Sequence, residues 1–169
     1  MGCEVDLTCE SGAACALDGD EVLDICERVL VEEGIERNCL VSVSIVGDRT
    51  MRELNAKWRG KDAPTDVLSL ECERPDDPDL ADGEPCELGD IVLAPEYIGR
   101  QAEAFGTTRA DETRLLLVHG MLHLLGYDHL DEEEACAMEA REDDIVETIK
   151  TDAHLRGIEF TRHGREGLL

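Results

Sequence analysis

The run His119-Gly120-Met121-Leu122-His123-Leu124-Leu125-Gly126-Tyr127-Asp128-His129 follows an apolar stretch, Leu115-Leu116-Leu117-Val118, and limits what this chain can fold into more than any other. Three of its five histidines fall in these eleven residues. On an α-helix a spacing of four is about 400° of rotation and about 6 Å of rise, so His119 and His123 leave one face within reach of a single ion. A continuing helix would carry His129 about 240° further round. Glycine enters the left-handed conformation without a Cβ penalty, so the chain can end its helix at Gly126 and present His129 from a turn. An i, i+4 histidine pair alone is as readily explained by two exposed or hydrogen-bonded side chains. A third histidine behind a glycine, on an apolar helix that would otherwise bury imidazoles without partners, points to one metal ion per chain. Three nitrogens with a fourth position left for water is the donor set of catalytic zinc.

The spacing resembles the metzincin zinc motif His-Glu-x-x-His-x-x-Gly-x-x-His, except that Gly120 stands where the protease carries its glutamate base. With Tyr127 and Asp128 ahead of the last histidine, the phrase resembles instead the signature of the YbeY family of metal-dependent bacterial endoribonucleases. A second stretch agrees. Asn55 followed by Arg59-Gly60-Lys61-Asp62-Ala63-Pro64-Thr65-Asp66-Val67-Leu68-Ser69 is similar to that family's other signature, departing only afterwards, at Leu70 and Glu71. The resemblance covers roughly residues 3–155. It implies a mixed sheet, cleavage of phosphodiester bonds in single-stranded RNA, and a task in ribosomal RNA maturation, at the 16S 3′ end, and in ribosome quality control. It also makes Arg59 the counterpart of an arginine held to be catalytically important.

The residues themselves suit that chemistry. Zinc on His119, His123 and His129 would polarise a phosphoryl oxygen or activate water without a dedicated carboxylate base. A guanidinium at Arg59 would offer planar donors to the negative oxygens of the transition state, with Lys57 and Lys61 as candidates for holding adjacent phosphates. Trp58 can stack a base, although packing is the commoner use of a lone tryptophan. Taken locally, Lys57, Arg59 and Lys61 equally suit a helix C-terminus that precedes a turn at Gly60 and Pro64.

Charge argues the other way. With 41 acidic and 16 basic residues the net charge is −25, and such a body repels nucleic acid on average. Two further classes therefore stay open: a noncatalytic zinc module that binds ribosomal proteins through its acidic surface, and a zinc peptidase. The partners expected are single-stranded RNA or ribosomal RNA, the small ribosomal subunit, and basic ribosomal proteins or assembly factors. No stretch approaches the roughly 20 apolar residues of a membrane span, and residues 1–6 lack the features of a signal peptide, so a cytoplasmic protein without a membrane partner is expected. The eight cysteines form no C-x-x-C pair and read as small hydrophobes or bystanders.

Hydrophobic periodicity predicts the elements. Weak alternation gives a strand over 3–9, and Val22, Cys26, Val29 and Leu30 give a helix over 20–33 capped by Asp18 or Asp20. Val41, Val43 and Ile45 alternate with Ser42 and Ser44 in a half-buried strand over 39–46. A second helix, capped by Asp48 or Thr50, carries a stripe of Met51, Leu54 and Trp58. Residues 71–90, acidic and with three prolines, read as a solvated loop with no core of its own, followed by a strand over 88–94. A helix over 95–105 ends at Gly106, Thr108 with Asp111 opens the metal helix, and acids at 131–134 open a last helix docked by Ala135, Met138, Ile145 and Ile149. The expected architecture is one α/β domain: a small mixed sheet of about four strands packed with helices, the metal site on a central helix and the turn after it. Residues 1–155 would form the hydrolase domain and 156–169 a flexible C-terminal tail; His154 and His163, in the weakly patterned last stretch, read as surface residues.

Overall fold

The structure, a computed structural model, describes residues 2–151. The expected boundary at 155, the tail, His154 and His163 lie outside the described residues. In chain order the elements are β1 (Cys3–Cys9), α1 (Gly19–Glu32), β2 (Cys39–Ile45), α2 (Asp48–Arg59), β3 (Val67–Glu71), β4 (Cys86–Leu93), α3 (Pro95–Phe105), α4 (Arg109–Leu124) and α5 (Glu132–Thr151). The four strands make one mixed sheet in the order β1-β2-β4-β3. β1, β2 and β4 run parallel, and β3 is antiparallel to β4. This is the mixed four-stranded α/β domain that the periodicity predicts.

Alternation decides which side of the sheet each residue serves. Cys39, Val41, Val43 and Ile45 of β2 join Ile91 and Leu93 of β4 in the main core, with α1, α4 and α5. Leu68 and Val92 point the other way, into a smaller core with Met51 and Leu54 of α2. α4 runs through the middle and packs on α1, α3, α5, β3 and β4. From Leu115 to Leu122 every residue is buried. A helix apolar on all sides is stable only where neighbours surround it, and here they do.

Several expectations need correction. Neither Asp48 nor Thr50 caps α2. Gly47 is its N-cap and supplies no side chain, and the acceptor comes from the end of the first strand region: Glu10 takes hydrogen bonds from the Gly47 amide at 3.2 Å and the Thr50 hydroxyl at 2.8 Å. Asp18, not Asp20, caps α1, accepting from the Glu21 amide. Trp58 is 54% exposed and does not complete the apolar stripe, because the smaller core takes no residue of α2 beyond Leu54. Residues 71–90 do share the core: Leu80, Cys86 and Leu88 are buried, and β4 begins at Cys86. Arg37 pins this segment, donating from its guanidinium to the carbonyls of Pro75, Ala81 and Glu84. All eight cysteines are free, with Cys3, Cys39 and Cys86 in one register row across three strands.

The β3–β4 hairpin carries a demanding backbone contact. Gly89 has φ +134°, and a Cβ there would stand 2.1 Å from the Leu70 carbonyl oxygen. Neither the torsion nor the clash suits any other residue. Gly89→Ala is expected to destabilise the fold by about 3–5 kcal/mol in urea denaturation, and a loss below about 1 kcal/mol would show that the strands part there at little cost.

Candidate metal centre

The metal helix begins with a local signal. The Thr108 hydroxyl accepts a hydrogen bond from the Asp111 amide at 3.1 Å, as the sequence predicts. It ends at Leu125, and the next residue, Gly126, takes φ +109°. The amide of Gly126 donates to the His123 carbonyl and that of Tyr127 reaches back to Leu122, so the orphan carbonyls of the last turn are used as the chain reverses. Arg74, from the acidic segment, covers the glycine: a Cβ on Gly126 would stand 2.4 Å from its guanidinium nitrogen. Beyond the turn the Asp128 carboxylate accepts from the His129 amide at 2.8 Å. The start of the next helix is tied to the loop by two bonds, Asp131 accepting from the Glu134 amide and the Glu134 carboxylate from the Leu130 amide. The loop that carries His129 is thereby held at both ends.

The three histidines meet. Their ring centroids are 4.6 Å apart for His119 and His123, 5.0 Å for His123 and His129, and 5.9 Å for His119 and His129. One nitrogen from each lies within 4.8 Å of the others. The Nε2 atoms of His119 and His123 face each other at 3.1 Å. Two nitrogens bonded at about 2.0–2.1 Å to one tetrahedral ion stand about 3.3 Å apart, close to that separation. The Nε2 of His129 is buried and has no hydrogen-bond partner among the described residues. A buried imidazole nitrogen without a partner is costly, and a cation shared with the other two rings removes the cost. The residues therefore fit a metal ion. Burial first, and then the neighbouring His119 and His129 rings, pushes His123 down to about 4, outweighing Asp128 and the Tyr127 backbone. Near neutral pH it is the uncharged ring that a metal requires.

One partner of the centre was not foreseen from sequence. Glu142 of α5 is 2% exposed, and its carboxylate meets Nδ1 of His119, on the far side of the ring from the cluster. The available signal was an acid inside the docking stripe, four residues after Met138 and three before Ile145.

Arg59, Lys57 and Lys61 are exposed around the C-terminus of α2 and its left-handed cap Gly60. No hydrogen bond or ion pair among the described residues joins them to the cluster. What holds their turn is Asn55, which is buried and donates to the Ala63 carbonyl at 2.8 Å, and Asp62, which is gripped by both arms of Arg52 at 2.8 and 3.0 Å. The Lys57 ammonium lies 4.9 Å from the centre of the Trp58 ring. β3 then leads from this turn to the metal helix, where the Ser69 hydroxyl donates to the Gly120 carbonyl at 3.5 Å.

Comparison with known proteins agrees with the fold and identifies the family. The family model of Endoribonuclease YbeY matches residues 15–150. An Endoribonuclease YbeY of Salinispora tropica is 43% identical over 136 residues, 77% of this chain and 85% of that one. Another, of Moorella thermoacetica, is 45% identical over 135 residues, 76% and 86% of the two chains. A Bacillus velezensis relative of the same name is 37% identical over 150 residues, covering 87% and 96%. The solution structure of TM1509 from Thermotoga maritima superposes with a TM-score of 0.53 at 23% identity, over 94% of this chain and 99% of that one, which shows the shared fold. With a matching family model across most of its length and relatives well above 30% identity, this chain belongs to the YbeY family of endoribonucleases.

Proposed function

We propose that this protein is a zinc-dependent endoribonuclease that cuts single-stranded RNA in the cytoplasm, in the maturation of ribosomal RNA at the 16S 3′ end and in ribosome quality control. The observation that carries the reading is the convergence of a buried His119 with the half-buried His123 and His129 in a chain of this family. When bound there, zinc supplies Lewis acidity and a nucleophile from water near neutral pH. Arg59 is assigned to the negative oxygens of the phosphodiester transition state, since its planar donors are exposed and engage no acid among the described residues. Lys57 and Lys61, on the same turn, hold neighbouring phosphates, and the exposed Trp58 ring offers a face on which a base can stack.

The peptidase reading fails on chemistry. Gly120 stands where the protease carries its glutamate base, and a Cβ there would already be in tight contact, 3.2 Å, with the Ile91 side chain and the Ser69 hydroxyl. The noncatalytic reading has one observation in its favour. A groove of about 490 Å³ on the sheet is lined by Glu4, Asp6, Glu87 and Asp90, with Asp6, Ser42 and Asp90 in one register row. Such a surface suits a basic protein better than RNA. Both features serve one protein if a basic ribosomal protein or assembly factor of the small subunit brings the RNA to the metal. No helix of the described residues is long and apolar enough to cross a membrane.

Three outcomes are expected. Metal analysis should find one zinc per chain, and substoichiometric zinc in each of His119→Ala, His123→Ala and His129→Ala; full occupancy in His129→Ala would remove that residue from the donor set. Arg59→Glu should cut single-strand cleavage by at least about 100-fold with zinc content unchanged, and Arg59→Lys should fall between it and wild type because an ammonium cannot grip two oxygens. Unchanged cleavage by both variants would take Arg59 out of the mechanism. Binding of naked RNA should be weak, with a slope of log affinity against log salt of about −2, the value for three phosphates on a single strand. A slope steeper than about −4 would reveal a larger basic cleft, and small ribosomal subunits should raise the affinity.

A further inference from the structure

α5 docks through Met138, Glu142, Ile145 and Ile149, spaced four, three and four residues apart, so that all four fall on one face. Three are apolar. The fourth is a carboxylate as deeply buried as its neighbours, at 2% exposure, and a carboxylate is left in such a place only when charge or hydrogen bonding compensates it. Its contact is with Nδ1 of His119, itself 4% exposed. The other nitrogen of the same ring, Nε2, faces Nε2 of His123 inside the histidine cluster. The two nitrogens of His119 therefore have separate partners on opposite sides of the ring.

An ionised carboxylate accepts hydrogen bonds and donates none, and a neutral imidazole carries one proton. Facing Glu142, that proton sits on Nδ1, which leaves the Nε2 lone pair directed into the cluster. We propose that Glu142 is a positioning residue of the metal centre. It fixes the tautomer of His119, holds the ring in plane, and makes Nε2 a stronger donor through the negative charge behind it. The inference rests on the reading of the histidine cluster as a metal site. It also gives α5 two tasks: its first turn anchors the loop that bears His129, through Asp131 and Glu134, and its third turn anchors His119. The two ends of the metal motif are thus fixed by one helix that follows both in sequence.

The test uses the full chain, labelled with ¹⁵N and stripped of metal, at a pH where the histidines are neutral. Long-range proton–nitrogen spectra should show His119 of the wild type protonated at Nδ1. In Glu142→Ala both tautomers should be populated, and competition with a chelator should show zinc bound about 10–100-fold more weakly than by wild type. Glu142→Gln, whose amide oxygen still accepts from Nδ1, should lose less than Glu142→Ala. Wild-type His119 protonated at Nε2 would overturn the proposal without recourse to any variant, so the test survives if Glu142→Ala does not fold. So would a folded Glu142→Ala whose zinc affinity lies within about twofold of wild type, which would leave the metal reading standing. Absence of zinc uptake by the wild type is a different failure, of the metal reading and of this inference with it.

Discussion

A ring nitrogen taken out of water must be given a partner, and this constraint organises the centre of the molecule. α4 is surrounded by three helices and two strands, so His119, buried on it, has no access to bulk solvent as an easy remedy. It is answered on one side by Glu142 and on the other by the half-buried His123. His129 is brought to the same place by the Gly126 turn, with an Nε2 that no group among the described residues satisfies. The caps, the covering Arg74 and the docking of α5 all serve to hold those nitrogens together, and a cation among them removes the cost of having buried them.

Elements whose signals are local were legible in the sequence. The alternation of Val41, Val43 and Ile45 placed β2, the Gly106 and Gly126 stops placed two helix ends, and the spacing of three histidines across a glycine foretold that they cluster. Interactions between distant segments were not legible. Glu10 caps α2 from some forty residues away, Arg37 ties down a segment that composition alone marks as solvated, and Glu142 reaches His119 only because α5 folds back on α4. Trp58 shows the opposite error. Its spacing from Met51 and Leu54 is that of a core stripe, but nothing of the smaller core extends under the last turn of α2. Periodicity reports which residues share a face, not whether another element covers it.

The conflict between a net charge of −25 and a polyanionic substrate is reduced by how the charges are paired. Among the described residues, Arg52, Arg100, Arg114 and Arg141 are all engaged by carboxylates. Among the described residues the cations at 57, 59 and 61 meet no acid, and Asp62, the acid closest in sequence, is occupied by Arg52. Pairing leaves a small positive feature in an acidic surface; on the proposed reading it would orient a few phosphates without binding RNA strongly by itself. On the same reading the acidity of the sheet face would favour basic proteins.

On the proposed reading, a single metal ion at the three histidines makes this chain a ribonuclease. The decisive measurement is cleavage of an unstructured single-stranded RNA by chelator-treated protein, followed as zinc is returned. The stripped protein should not cleave, recovery should be complete at one equivalent of zinc per chain, and the His123→Ala variant should not recover at that dose. Full cleavage by protein shown to be metal-free would contradict that reading.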